Sequence, residues 1–122
     1  MTSLMDEIIG DDSGAGKNSL FPHAPSGWAP AAALESARQE GLQPGEDHWE
    51  ALRALHEYYA RHATTGVNLR ELHDALDEKF HRQGGIRYLY LLFPGGPVAQ
   101  GCRLAGLKAP AGATDRGFGS VA

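Results

Sequence analysis

Cysteine is nearly absent, with one residue, Cys102, in 122. A single thiol excludes a disulfide within the chain, and with it the small secreted scaffold stapled by bridges. No stretch approaches the roughly 18 uninterrupted apolar residues of a spanning helix, and the charged head and apolar run of a secretory signal are missing. These absences lead to the expectation of a soluble, cytoplasmic protein with no membrane association. Basic charge is short as well. Eleven Lys and Arg against 15 Asp and Glu leave a formal net charge of -4 and a pI near 5.8. The surface as a whole therefore does not attract nucleic acid, although a local patch can. A phosphate-cradling loop is missing too, because "GAGKNS", residues 14–19, lacks the Walker spacing and follows no strand.

What is present is helical punctuation. Residues 1–19 hold a short apolar opening and then the polar Gly/Ser stretch "GDDSGAGKNS", and read as an arm. In "LFPHAPSGW", Pro22, Pro25 and Gly27 forbid a helix and favour a small hairpin or irregular cap anchored by Phe21 and Trp28. "PAAALESARQEG" places Pro30 at a first helical position and Gly41 past the end, predicting a helix over 30–40. In "DHWEALRALHEYYARHA", Asp47 and Glu50 have capping-box spacing, and Trp49, Leu52, Leu55 and Tyr59 recur at helical intervals, predicting a helix over 47–62. Asn68 and Glu71 repeat the box before a stripe of Leu69, Leu72, Leu76 and Phe80, with Gly84-Gly85 as the stop. That helix is expected over 69–82. "IRYLYLLF" suits a strand and a buried helix equally. "GGPVAQGCRLAGL" runs from Pro97 to Gly106 and predicts a short helix around Cys102, followed by a tail without periodicity.

Six histidines raise the question of a metal site. His73 and His81 stand two helical turns apart, and His56 and His62 point to different faces, so neither pair has the i, i+4 spacing of a helical metal motif. His48 and His23 read as structural or solvent-facing. Neither a metal nor a cofactor is expected. Asp74, Asp77 and Glu78 form a solvated helix face rather than an acid–base site. The helix pair 47–62 and 69–82 has the length of a helix-turn-helix, yet its second helix carries four acids, Glu71, Asp74, Asp77 and Glu78, against three bases, Arg70, Lys79 and Arg82, and offers phosphates little net attraction.

Cys102 carries the remaining chemistry. A free cysteine between Val98 and Ala105 reads first as a small buried hydrophobe. Its sequence neighbours point the other way. Gly101 and Gly106 leave room for approach to the sulfur, and Arg103 and Lys108, with no acid beside them in sequence, favour the thiolate.

From Trp28 to Leu107 the chain resembles the DsrC/TusE family of sulfur-relay proteins. The resemblance rests on "DHWEALRALHEYYARHA", on "NLRELHDAL" and above all on "RYLYLLFPGGPVAQGCRLAGL". It implies a mainly α fold: an orthogonal helical bundle with a helix-turn-helix-like core, a small N-terminal β-hairpin and a flexible C-terminal arm. The domain would span 20–107, between arms at 1–19 and 108–122. It also implies sulfur carried as persulfide on arm cysteines, with sulfur-transfer proteins or dissimilatory sulfite reductase as partners and sulfite metabolism or tRNA thiolation as the pathway. The family's usual carrier is a penultimate cysteine, and the sulfite-reductase partners hold a second one eleven positions earlier. Cys102 matches the earlier site, Ala113 stands at the later one, and the chain runs on to Ala122.

The expectation is therefore a sulfur-carrier subunit rather than a stand-alone enzyme, with Cys102 as the sulfur-carrying thiol and Arg103 and Lys108 in support. With the partner thiol lost at Ala113, oxidation can link only separate chains, including a disulfide-linked homodimer. The second reading is a regulator that binds DNA or protein and has given up sulfur transfer.

Overall fold

A computed structural model describes residues 20–113. They form five α-helices: α1 (Pro30–Gln39), α2 (Glu46–Arg61), α3 (Leu69–Lys79), α4 (Ile86–Leu92) and α5 (Ala99–Ala105). A 3-10 turn at His81–Gln83 follows α3, and no strand element occurs among the described residues. The architecture is mainly α, as expected. The arm at 1–19 and the tail beyond Ala113 lie outside the described residues, as would any strand pairing with residues before Leu20. Within them, Leu20 to Trp28 turns twice, with the Ala24 amide donating to Phe21 O (3.1 Å) and the Trp28 amide to Pro25 O (3.2 Å). Phe21 and Trp28 are both buried and meet edge to face at 5.0 Å, closing one side of the core.

The helix starts follow local chemistry, with one correction. Pro30 opens α1, where its missing N–H leaves nothing unsatisfied. The Asn68 side chain accepts from the Glu71 amide at 3.0 Å and caps α3. The Asp47–Glu50 box does not form. α2 begins one residue earlier, after Gly45, whose amide donates to His48 Nδ1 at 2.9 Å. Asp47 instead accepts the Tyr88 hydroxyl, and Glu50 pairs with Arg53 (2.7 Å) and with Lys79 of α3 (3.0 Å).

"IRYLYLL" becomes a helix because its burial has a helical period: Leu89 and Phe93 are buried and Ile86 is half-buried, while Arg87 and Leu91 face solvent. Leu91 sits where a polar residue would have made the period visible. Gly85 enters the helix at φ +66°, and Asp77 Oδ1 accepts the first helical amide, from Ile86, at 2.8 Å. A Cβ at Gly85 would collide with that same carboxylate.

Short as it is, α5 lies at the centre, packed against both α1 and α2, with Ala99 to Cys102, Leu104 and Ala105 buried. Ala33 and Ala37 line the buried face of α1, where small side chains permit close approach. On the α2 side Gly101 has this role, since a Cβ there would stand 2.9 Å from Leu55 Cδ1. Leu52, Leu55, Leu72, Leu76 and Phe80 form the predicted core, with Trp49 and Tyr59 half-buried at its edge.

A candidate thiol site under Tyr59

The last turn of α5 would leave its carbonyls without helical partners. Here the rest of the fold supplies them. Trp28 Nε1 donates to Leu104 O (2.8 Å), His56 Nε2 to Ala105 O (3.0 Å), and the Leu107 amide returns to Cys102 O (2.9 Å). Gly106 makes the return at φ +76°, and a Cβ there would stand 2.7 Å from Trp28 Cδ1. A carbonyl only accepts, so His56 carries its proton on Nε2. Its Nδ1 is buried and unpartnered among the described residues. Burial holds the His56 pKa below its ordinary value.

These contacts fix Cys102 at zero exposure. Its Sγ lies 3.6 Å from Tyr59 Oη, which itself donates to Lys108 O at 2.6 Å. Since the tyrosine proton is committed to that carbonyl, the thiol is the donor in the weaker contact. Burial pushes the Cys102 pKa up to about 11. Burial likewise raises the pKa of Tyr59, with Cys102 adding to the rise. At neutral pH both groups are protonated. Tyr59 is half-exposed, and its hydroxyl is the polar group that meets the sulfur.

Arg103, expected to support the thiolate, is engaged elsewhere. Arg103 follows Cys102 by one position, which on a helix turns it away from its neighbour. It forms two bonds to the Glu40 carboxylate at the end of α1, at 2.7 and 2.9 Å. Gln100 donates to the same carboxylate at 2.8 Å and accepts the Gly95 amide at 2.8 Å, pinning the loop before α5. An acid distant in sequence thus neutralises the arginine. Lys108 contributes its backbone carbonyl, which accepts from Tyr59. Gly101 and Gly106 give their space to Leu55 and Trp28, not to an approaching reagent.

The chain stays on the body past Leu107, with Leu107, Ala109 and Ala113 packed against the core. Ala113 borders a small hollow of about 70 Å³ whose walls include Leu69, His73, Tyr90 and Val98. The histidines have other tasks. His48 bridges Gly45 N and Leu92 O, the latter at 2.9 Å, and His62 Nδ1 meets Tyr58 O at 2.9 Å. Among the described residues, no group of three or more His, Cys, Asp or Glu could hold a metal ion, and no helix is long and apolar enough to cross a membrane. Tyr59 is the site residue that sequence reasoning missed. It sits on the apolar stripe of α2, and its one signal was a polar tip at a core position.

Comparison with known proteins gives the family and the fold. The family model described as "DsrC like protein" matches residues 12–113. The chain is 40% identical over 105 residues to a protein of Photorhabdus laumondii named sulfurtransferase TusE, covering 85% of this chain and 88% of that one. It is 39% identical over 84 residues to the protein of the same name from Salmonella typhimurium, covering 68% and 76%. The NMR structure of Allochromatium vinosum DsrC superimposes with a TM-score of 0.59 at 39% identity, covering 71% of this chain and 78% of that one.

Proposed function

The chain belongs to the DsrC-like family, and we propose that it serves a sulfur relay as a single-thiol member, docking on relay partners and accepting at most one sulfur, on Cys102. The observation that carries this reading is the placement of the one thiol, against the hydroxyl of a half-exposed tyrosine and on a helix that α1 and α2 brace. Ala113 leaves no second thiol to resolve or share a persulfide. As folded, Cys102 is protonated and covered, so the resting protein is a closed acceptor rather than an open carrier.

The chemistry asks for no cofactor. Once exposed and deprotonated, Cys102 Sγ attacks the outer sulfur of a donor persulfide. The new S–S bond forms as the donor's S–S bond breaks, and the donor leaves as a thiolate that takes up a proton. No net oxidation occurs. The sulfur goes on by the same exchange to an acceptor thiolate. Sulfur-transfer proteins are the partners that this step needs.

Intact-mass analysis after incubation with a persulfidated donor protein tests the reading. One added sulfur, located on Cys102 and absent from Cys102→Ser, is the expected result. No uptake, or uptake that persists in Cys102→Ser, would contradict it.

A further inference from the structure

The sides of Cys102 are not equally closed. Leu55 fills the space at Gly101, Trp28 fills it at Gly106, and the Glu40 cluster fastens Arg103 and Gln100 to α1. These contacts are buried or doubly bonded. Towards Tyr59 the sulfur meets a hydroxyl. Beside that hydroxyl runs the segment that leaves α5 at Gly106, in which Lys108, Ala111 and Gly112 are exposed and Leu107, Ala109, Pro110 and Ala113 are half-buried. The 2.6 Å bond from Tyr59 Oη to Lys108 O ties that segment to α2, and the same oxygen receives the thiol.

We propose that Tyr59 is the latch of the thiol: its hydroxyl holds the strap 107–113 down beside Cys102, and release of that bond lets the strap, otherwise held by the packing of Leu107, Ala109 and Ala113, lift and expose the sulfur while the helical body stays folded. Tyr59 acts through the strap and through the position of the thiol, and is a positioning residue rather than a catalytic one. Shut, the latch keeps the sulfur protonated by burial. Open, it returns the sulfur to water, where an ordinary thiol has a useful thiolate fraction near neutral pH. Local openings of this kind populate states far below global unfolding in free energy. A relay partner that bound the lifted strap would shift the population towards the open form by its preference for it.

The latch regulates the thiol that the proposed relay uses and depends on that reading for its purpose, but its test does not involve sulfur transfer. The full-length protein is alkylated with iodoacetamide at neutral pH across a series of sub-denaturing urea concentrations. The Cys102–carbon bond forms as the carbon–iodine bond breaks, with iodide and a proton released. Intact mass gives the rate, and circular dichroism gives global stability under the same conditions. A latch predicts a native rate faster than global unfolding permits, with a much shallower dependence on urea than global unfolding shows. Tyr59→Phe should raise the native rate about two- to tenfold, the effect of one lost hydrogen bond, with the shallow slope retained. Tyr58→Phe, whose ring stacks on His62 at 4.0 Å, should leave the rate unchanged.

A wild-type rate that follows global unfolding in both size and urea slope would overturn the latch, as would an unchanged rate in Tyr59→Phe or an equal gain in Tyr58→Phe. If Cys102 opens as described but gains no sulfur from a persulfide donor, the relay reading falls and the latch stands.

Discussion

The two ends of the contact between α2 and α5 are built differently. At one end Leu55 meets Gly101, and His56 and Trp28 fasten the last carbonyls of α5, all of them buried. At the other, a half-exposed tyrosine touches the thiol and holds a segment whose residues are mostly half-buried or exposed. The first end is sealed by apolar packing and by bonds made away from water, where each is expensive to lose. The second is closed by a bond at the surface, where water can replace it. If Tyr59 is the latch proposed above, a thiol kept at the second end can be exposed without loosening the core.

Substitutions at the sealed end should therefore act on stability, and the largest loss is expected from truncating the core. Leu55→Ala and Leu76→Ala should each cost about 2–5 kcal/mol in urea denaturation, because both side chains are buried among helices that cannot collapse around them. A loss below the lower bound at both positions would mean a core less tightly packed than described.

Next in size is the glycine contact. Gly101→Ala adds a methyl group 2.9 Å from Leu55 Cδ1 and should cost about 1–3 kcal/mol. Combined with Leu55→Ala it should cost less than the sum, since the methyl enters the space that the leucine vacates. Additive losses in that double-mutant cycle would separate the two residues.

A smaller effect is expected from pH. The folded state holds the His56 pKa below its unfolded value of about 6.5, so the unfolded chain binds the extra proton first as pH falls. His56 therefore contributes stability that is full above that value and is lost as pH drops below it towards the folded pKa. Melting curves from neutral pH to about pH 5 should show a steeper fall for the wild type than for His56→Gln, which keeps a donor for Ala105 O but does not titrate. Parallel curves would place the acid sensitivity elsewhere.

The smallest change in stability belongs to the open end. Tyr59→Phe should lower stability by roughly 0.5–1.5 kcal/mol, the net worth of a hydrogen bond. A loss as large as that of Leu55→Ala would erase the contrast between the two ends.

Much of the sealed end was legible in the sequence. The stripes of α2 and α3, the Asn68 cap and the Pro–Gly frame of α5 are local patterns, and local patterns survive folding. Phe21 and Trp28 were also readable as anchors, being large aromatics in a stretch that no helix can use. What the sequence hid was partnership over distance. Arg103 looked free to help Cys102 because nothing along the chain reveals that Glu40, at the end of another helix, takes its charge. Asp47 and Glu50 had the spacing of a box, but Tyr88, Arg53 and Lys79 claimed them. In α4 the period was masked because Leu91, apolar in type, faces solvent. The thiol's surroundings were hidden for a further reason: a residue next in sequence on a helix is not next in space, whereas Tyr59, far along the chain, is.

The resting state of Cys102 is tested most directly by the pH dependence of its alkylation in the native protein, with the urea-unfolded chain as reference. A covered thiol with its pKa raised to about 11 should react far more slowly than the unfolded one. Its rate should still climb about tenfold per pH unit beyond about pH 8.5, where an ordinary thiol begins to level off. A native rate that levels off at or below that pH, or that equals the unfolded rate, would show a free thiolate at the surface and contradict a sulfur held closed beneath Tyr59.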